Sequence, residues 1–304
     1  MVDVVVAGTI GIDDIETPFG KAKNAIGGSA TYIAYAASFF AKPGLVSVVG
    51  EDIPKEHMDL FEKRKISTEG IDRRKGKTFR WGGFYEYDMN EAKTLRTELN
   101  VLTEFDPKLP EEYKKSKYLF LGNTDPEVQL KILSQIEKPE LVVMDTMNFW
   151  IEHKKEDLIK LIKKVNVLIL NDGEARQLFR EINLVKAADK ALDLGPKAVV
   201  IKKGEHGALL FLRENGKRRH FSAPGYPLEI VKDPTGCGDS FGGGFIGYLA
   251  KTKNLSEANL RKAVIYGSVI ASFNAEDFSL ERQKKLTMVE IERRFHELRE
   301  MREF

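Results

Sequence analysis

The sequence predicts an α/β fold: a doubly wound, mostly parallel sheet with helices on both faces, plus a small separate β-sheet. Three observations predict it. Short, nearly continuous apolar runs, such as Val2-Asp-Val-Val-Val-Ala-Gly8 and Val167-Leu-Ile-Leu170, alternate along the chain with amphipathic stretches of helical period. That is the pattern of strands buried on both faces and joined by crossover helices. A glycine-rich turn, Asp233-Pro-Thr-Gly-Cys-Gly-Asp239, opens directly into an apolar stripe at helical spacing, Phe241, Phe245, Tyr248 and Leu249. Between residues 76 and 101 the chain changes character, to aromatics, paired glycines and alternating residue types, which read as antiparallel strands set apart from the main sheet.

The elements follow in order. Residues 2–8 form a buried strand ending in glycine, and a polar loop, 11–16, carries Asp13 and Asp14. A helix opens at Gly27-Gly28-Ser29-Ala30 and runs towards Phe40. Residues 45–49 are a strand, and 54–65 a helix with Pro54 at its start. After the aromatic block, strands at 118–121, 141–145, 167–170 and 198–201 alternate with helices at 126–136, 155–164, 173–180 and 184–194. Short strands at 208–212 and 219–221 precede three helices, 239–250, 257–273 and 288–302. The last carries Met288, Ile291, Phe295 and Leu298 as an apolar stripe. Ligands of such sheets bind at the carboxyl ends of the strands, where Asp13, Asn171 and Glu174 fall.

Composition excludes several classes. With 42% apolar residues the 304-residue chain can bury a sizeable core, and its net charge of +2 argues against a nucleic-acid or membrane partner. One cysteine rules out an internal disulfide and fits a reducing compartment. No apolar run approaches the ~20 residues needed to span a bilayer. The chain starts directly in a strand-like run without a signal peptide, so a cytoplasmic location is expected. The five histidines show no zinc spacing, and no Walker sequence occurs. Gly242-x-Gly244-x-x-Gly247 lies inside a helix and is therefore no dinucleotide fingerprint.

The turn at 233–239 carries the chemistry. Pro234 ends the preceding extended run. Gly236 and Gly238 flank Cys237, so successive N–H groups can aim at one point, a ready site for phosphate or a developing anion. Asp239 falls in the first helical turn beside that point. A carboxylate there repels phosphate, so its placement suits proton abstraction from an attacking hydroxyl. The plainer reading is an N-cap with turn glycines.

The whole string resembles the C-terminal signature of the ribokinase-like (PfkB) kinases, D-T-x-G-A-G-D-x-F, with Cys237 where alanine is usual. Gly27-Gly28 resembles the family's N-terminal G-G-x-x-x-N-x-A motif, with Tyr32 in place of the usual asparagine. Gly8-Thr-Ile-Gly-Ile-Asp13 is similar to its G-S-x-x-x-D spacing, Asn171-Asp-Gly-Glu174 to its N-x-x-E element, and Lys202-Lys-Gly-Glu-His-Gly207 to its nucleotide loop. The resemblance covers essentially the whole chain. It implies an ATP-dependent kinase that phosphorylates a primary hydroxyl of a nucleoside or sugar. Asp239 would take the proton, and the amides of Gly236, Cys237 and Gly238 would stabilise charge. Asp13, Gly27, Gly28 and Tyr32 would hold the acceptor; Lys203, Gly204, Gly207 and Thr235 the nucleotide; Asn171 and Glu174 a Mg²⁺ ion through water. Segments 13–25 and 76–101 would form a β-sheet lid, and 1–12, 26–75 and 102–304 the catalytic core.

Each element also has a plainer reading. Asp14 rivals Asp13, Asn171 could simply cap a helix, and 202–207 could be a hairpin turn. Ser268, Ser272 and Asn274 fall where an adenine pocket would lie, although helix packing suits them better. The aromatics Phe79, Trp81, Phe84, Tyr85 and Tyr87 would stack on a nucleobase, pack the lid on itself, or meet a second subunit's lid in a homodimer. Tyr32 and these aromatics favour a nucleoside over a free sugar. The remaining class is a catalytically silent binding protein on the same fold.

Overall fold

The computed structural model describes residues 2–303 apart from Asn215. Its strands are, in chain order, β1 (Val4–Ala7), β2 (Gly11–Thr17), β3 (Gly20–Gly27), β4 (Pro43–Gly50), β5 (Ser67–Arg74), β6 (Phe79–Tyr85) and β7 (Ala92–Glu98). They continue with β8 (Tyr118–Leu121), β9 (Leu141–Met144), β10 (Val167–Asn171), β11 (Ala198–Lys202), β12 (Ala208–Glu214) and β13 (Lys217–Ala223). The main sheet runs β13-β12-β11-β10-β9-β8-β1-β4-β5 and is parallel from β5 to β11, with an antiparallel edge.

Alternate residues of each inner strand feed two separate cores, which is why these strands are apolar throughout. Val4, Val6, Phe120 and Val200 pack with the helices Ser29–Ala37, Cys237–Thr252 and Glu257–Asn274. Val5, Ala7, Leu121 and Ile201 pack on the other face with Lys155–Ile162 and Leu184–Leu194. Helices Ser29–Ala37 and Cys237–Thr252 approach closely through glycine: a Cβ on Gly243 would stand 2.3 Å from the Ile33 carbonyl oxygen. The glycines of 242–247 thus serve helix packing. From β1 the sheet grows one way through β4 and β5 and the other way through β8 to β11, so winding reverses beside β1, the place where such sheets bind ligands.

The second sheet has the order β3-β2-β6-β7. One of its strands, β2, occupies residues where the pattern at 11–16 predicts a polar loop. A register shift between Asp13 and Ile15 breaks the alternation of β2 and hides its period of two. The small sheet also begins at Gly11 and closes its first hairpin at Gly27, outside the expected 13–25. Strand β5 escapes sequence reading because it is a polar edge strand. Among the described residues no helix is long and apolar enough to cross a membrane.

Candidate active site

Three groups of residues converge on the N-terminus of helix Cys237–Thr252. The first comes from β2 and the start of helix Ser29–Ala37. Asp13 is 4% exposed, and its Oδ1 has no hydrogen-bond partner among the described residues. Burial, then the charges of Asp233, Asp14 and Asp239, push its pKa up to about 8. An unpaired buried carboxyl oxygen is costly unless a ligand completes it. Asp14 is spoken for: it accepts from the Asn24 N–H (2.9 Å) and pairs with Arg96 (2.8 Å). The Tyr32 hydroxyl is also buried without a hydrogen bond of standard geometry, and its neighbour Ser279 gives its own proton to the Ile26 carbonyl (2.5 Å). Burial and Asp233 hold Tyr32 as a phenol. Gly27 and Gly28 cross beside Asp13 at the end of β3, Gly28 with φ 92°.

The second group is the turn itself. Asp233 anchors it, accepting from the N–H groups of Thr235 (2.8 Å) and Ser279 (3.1 Å). Gly236 takes φ 76°, in the left-handed region, and a Cβ there would strike the Tyr32 ring at 2.5 Å. The Cys237 N–H donates to the Pro234 carbonyl (3.1 Å). That corrects the expected trio of anion donors, because the amide of Cys237 is committed within the turn. The N–H groups of Gly236, Gly238 and Asp239 have no partner among the described residues. They are the orphan donors of a helix N-terminus, where the helix dipole favours anions. The Cys237 thiol is pushed up to about 12, first by burial. It faces the Ala271 carbonyl at 3.5 Å, so it is an inert spacer. Beneath the turn, Asn274 donates to the Thr235 carbonyl (2.8 Å) and joins Ser240 and Gln283 in a buried network.

The third group gathers at the ends of β9, β10 and β11. Asp145 follows β9, and Lys202 closes β11, its Nζ 2.6 Å from Asp145 Oδ2. Asn171 and Glu174 form a reciprocal capping box, each side chain accepting the other's N–H at 2.7 Å. The plain helix-cap reading of this pair is therefore real, yet Glu174 is also buried (8% exposed). Burial and the charge of Asp145 raise its pKa. Asp239 lies between the groups. It is half-buried, and burial and Asp145, partly offset by Lys202, push it up to about 7. Its own charge raises both Asp13 and Glu174.

Asp145 and Lys202 are the residues that sequence reading missed. Lys203, the expected lysine, is half-buried one residue further on, with no side-chain hydrogen bond or ion pair among the described residues. Gly204 and Gly207 bound a 3-10 turn closed by the Lys203 N–H to Gly207 carbonyl bond (2.8 Å). Ser268 and Ser272 bond back to helix carbonyls at Val264 and Val269, so they serve packing. Of the aromatics, Trp81 bonds to Thr94 (3.2 Å) and lies against Gly83 within its own sheet. Tyr85 instead reaches across to Thr235, hydroxyl to hydroxyl at 3.2 Å. Arg96 holds Asp14, and Asn100 donates to the Thr78 carbonyl (2.9 Å).

The sequence matches the pfkB family of carbohydrate kinases over residues 10–283. The chain belongs to that family. Membership makes it a phosphotransferase acting on an alcohol acceptor, the activity class that the turn and its carboxylate imply. A cytidine kinase of Thermococcus kodakarensis is 32% identical over 262 residues, 84% of this chain and 92% of the relative. The solved nucleoside kinase of Methanocaldococcus jannaschii superposes with a TM-score of 0.77 at 21% identity, covering 97% of this chain and 98% of that one. That of Burkholderia thailandensis bound to inosine gives 0.74 at 18% identity, over 97% and 98%. These two likenesses establish the ribokinase-type fold of this family member.

Proposed function

We propose that the protein is an ATP-dependent nucleoside kinase that transfers the γ-phosphoryl group to the primary hydroxyl of its acceptor. One observation carries this reading. Asp239 stands between a buried pair, Tyr32 and Asp13 with its unpartnered Oδ1, and a charged cluster beside free main-chain amides. Asp13 offers two acceptor oxygens to a vicinal diol, as a ribose would present. Asp239 takes the proton of the attacking hydroxyl, and a pKa near 7 suits a base working at neutral pH. The amides of Gly236, Gly238 and Asp239 stabilise charge on the transferring group, each such donor being worth about 3–4 kcal/mol where comparable donors have been removed. The small sheet acts as a lid, with Tyr85 reaching the turn and excluding water from the transfer.

Asp145, Glu174 and Asp239 set three carboxylates against the single ammonium of Lys202. Among the described residues no three ligating groups stand close enough to chelate a metal alone. Asn171 and Glu174, oxygen donors at the end of β10, would hold a hydrated Mg²⁺ through water. The ion would supply charge neutralisation of the phosphates.

The nucleoside is favoured over a free sugar by the cytidine kinase likeness, which spans nearly the whole relative, and by Tyr32 standing where the family has asparagine. A homodimer through the lid would cover Phe19 and Leu95, exposed at 58% and 68%. The test is turnover of ATP, GTP and ADP with a panel of nucleosides, ribose and fructose. The expected product is a nucleoside monophosphate. Transfer to free sugars alone would overturn the acceptor assignment, and no transfer to any of them would overturn the kinase reading.

A further inference from the structure

We propose that Lys202 exchanges partners during the catalytic cycle. Its ammonium is held by Asp145 before the phosphate donor arrives, and moves to the donor's phosphate oxygens at the turn once they bind. The proposal rests on the phosphate-donor reading above and adds a phosphate-contacting residue to it.

Three observations place Lys202 at the phosphates and not merely beside a carboxylate. A Cβ on Gly238 would lie 3.0 Å from Lys202 Nζ, so the ammonium stands against the anion-binding turn itself. The side chain is 17% exposed, and its carboxylate partner only 5%. An ammonium carries three donors, and among the described residues Asp145 Oδ2 is the acceptor of one of them, at 2.6 Å. The same turn presents the free amides of Gly236, Gly238 and Asp239. Unused donors of both kinds, main-chain and ammonium, therefore face one small volume. Spare donors gathered at one half-buried point can take acceptors, and oxygens of a phosphoryl group are acceptors that would satisfy both.

Charge supports the same assignment. Transfer of a phosphoryl group depends on cations placed where negative charge spreads. Lys202 is the ammonium of this cluster, with Asp145, Glu174 and Asp239 all acting on it. Geometry also explains why Lys202 and not Lys203 occupies the place. Lys202 is the last residue of β11 and projects along the strand ends, whereas the next residue opens the 3-10 turn.

The experiment measures binding by calorimetry on the full chain, with AMP, ADP and a non-hydrolysable ATP analogue in the presence of Mg²⁺. The proteins are the wild type, Lys202→Met, Asp145→Asn and the double variant Lys202→Met/Asp145→Asn. The double variant removes both members of the Lys202–Asp145 ion pair, so its comparison with Asp145→Asn separates the lysine from that pairing. The expected result is a loss that grows with phosphate number: AMP within about twofold, and the analogue weakened about tenfold to a hundredfold, as for one charge-assisted contact. The double variant should show that loss relative to Asp145→Asn alone. Equal affinity of the double variant and Asp145→Asn for the analogue would overturn the proposal. So would equal losses for AMP and the analogue, or failure of both lysine variants to fold, each of which marks a structural lysine. If wild type binds the analogue with this lysine dependence yet phosphorylates no nucleoside, the acceptor reading fails and the Lys202 assignment stands.

Discussion

The Asp13 carboxylate occupies the space that a side chain on Gly27 would need: a Cβ there would stand 1.8 Å from Oδ2 and 2.2 Å from Cγ. Glycine at 27 is thus a condition for the carboxylate's position, although its own backbone is ordinary strand. Gly27→Ala must swing Asp13 out of its buried place. Expected is a drop in kcat/KM for the acceptor of at least about a hundredfold, the scale of a small misplacement in a reacting geometry. ATP-analogue affinity should stay near wild type, because the substitution leaves the charged groups at the ends of β9 to β11 and the amides of the turn in place. Calorimetry and steady-state kinetics on the one variant check both halves. An unchanged acceptor kcat/KM would remove Asp13 from the site.

Two raised carboxyl groups shape the pH dependence. Asp239, near 7, and Asp13, near 8, must both be ionised, one to take a proton and the other to accept hydroxyls. The Asp239 charge raises Asp13, so the two titrations are linked. Activity is therefore lost as pH falls: kcat/KM should decline below about 8 and more steeply below about 7, approaching a hundredfold per pH unit where both protonate. Asp239→Asn should lower kcat by about a hundredfold or more and leave a single, shallower step. Near-normal turnover of that variant would rule out Asp239 as the base.

What the sequence disclosed follows from distance along the chain. Asp13 and Gly27, the turn at 233–239 and the Asn171–Glu174 pair each sit within a short stretch, where resemblance to the family's motifs marks them. Lys202 and Asp145 are 57 positions apart and meet only because β9 and β11 flank β10 in a parallel sheet. No local pattern encodes that meeting. Lys202 also hid behind a strand end taken one residue short, which turned a strand residue into a loop residue. Strand β2 was lost for a different reason, since its bulge places Asp13 inward where alternation predicts otherwise. The Cys237 amide differs from expectation because a turn's internal hydrogen bond is not encoded by residue types.

Asp13 should cost stability for the function it serves. Its carboxyl stands at 3.8 when unfolded and about 8 when folded, so between these values the native protein holds a proton that the unfolded chain has released. The contribution of this group is full below pH 3.8 and is lost as pH climbs to 8. Asp13→Asn removes the titration, so the variant should melt above wild type at pH 8, with a smaller gap at pH 5. The scale is about 2 °C for each kcal/mol relieved. Denaturation scans at the two pH values check the sign, and a gap that widens toward acid would contradict it.

The contact between Tyr85 and Thr235 joins the small sheet to the anion turn across 150 positions of sequence. Tyr85 lies at the end of β6, and burial holds its phenol well above the usual range, so it acts as a neutral hydroxyl. At the hairpin tip beyond it, Asn90 comes near Gly204: a Cβ on that glycine would be 3.5 Å from the amide oxygen. The sheet therefore touches both the turn and the 203–207 segment. Tyr85→Phe keeps the ring and deletes one hydrogen bond, a net effect of about 1 kcal/mol. Closure should weaken by about fivefold, and water should enter the site more often. The measurable consequence is a several-fold rise in ATP hydrolysis relative to phosphoryl transfer at saturating acceptor, with nucleotide affinity little changed. A hydrolysis-to-transfer ratio equal to wild type would mean that the contact is incidental to closure.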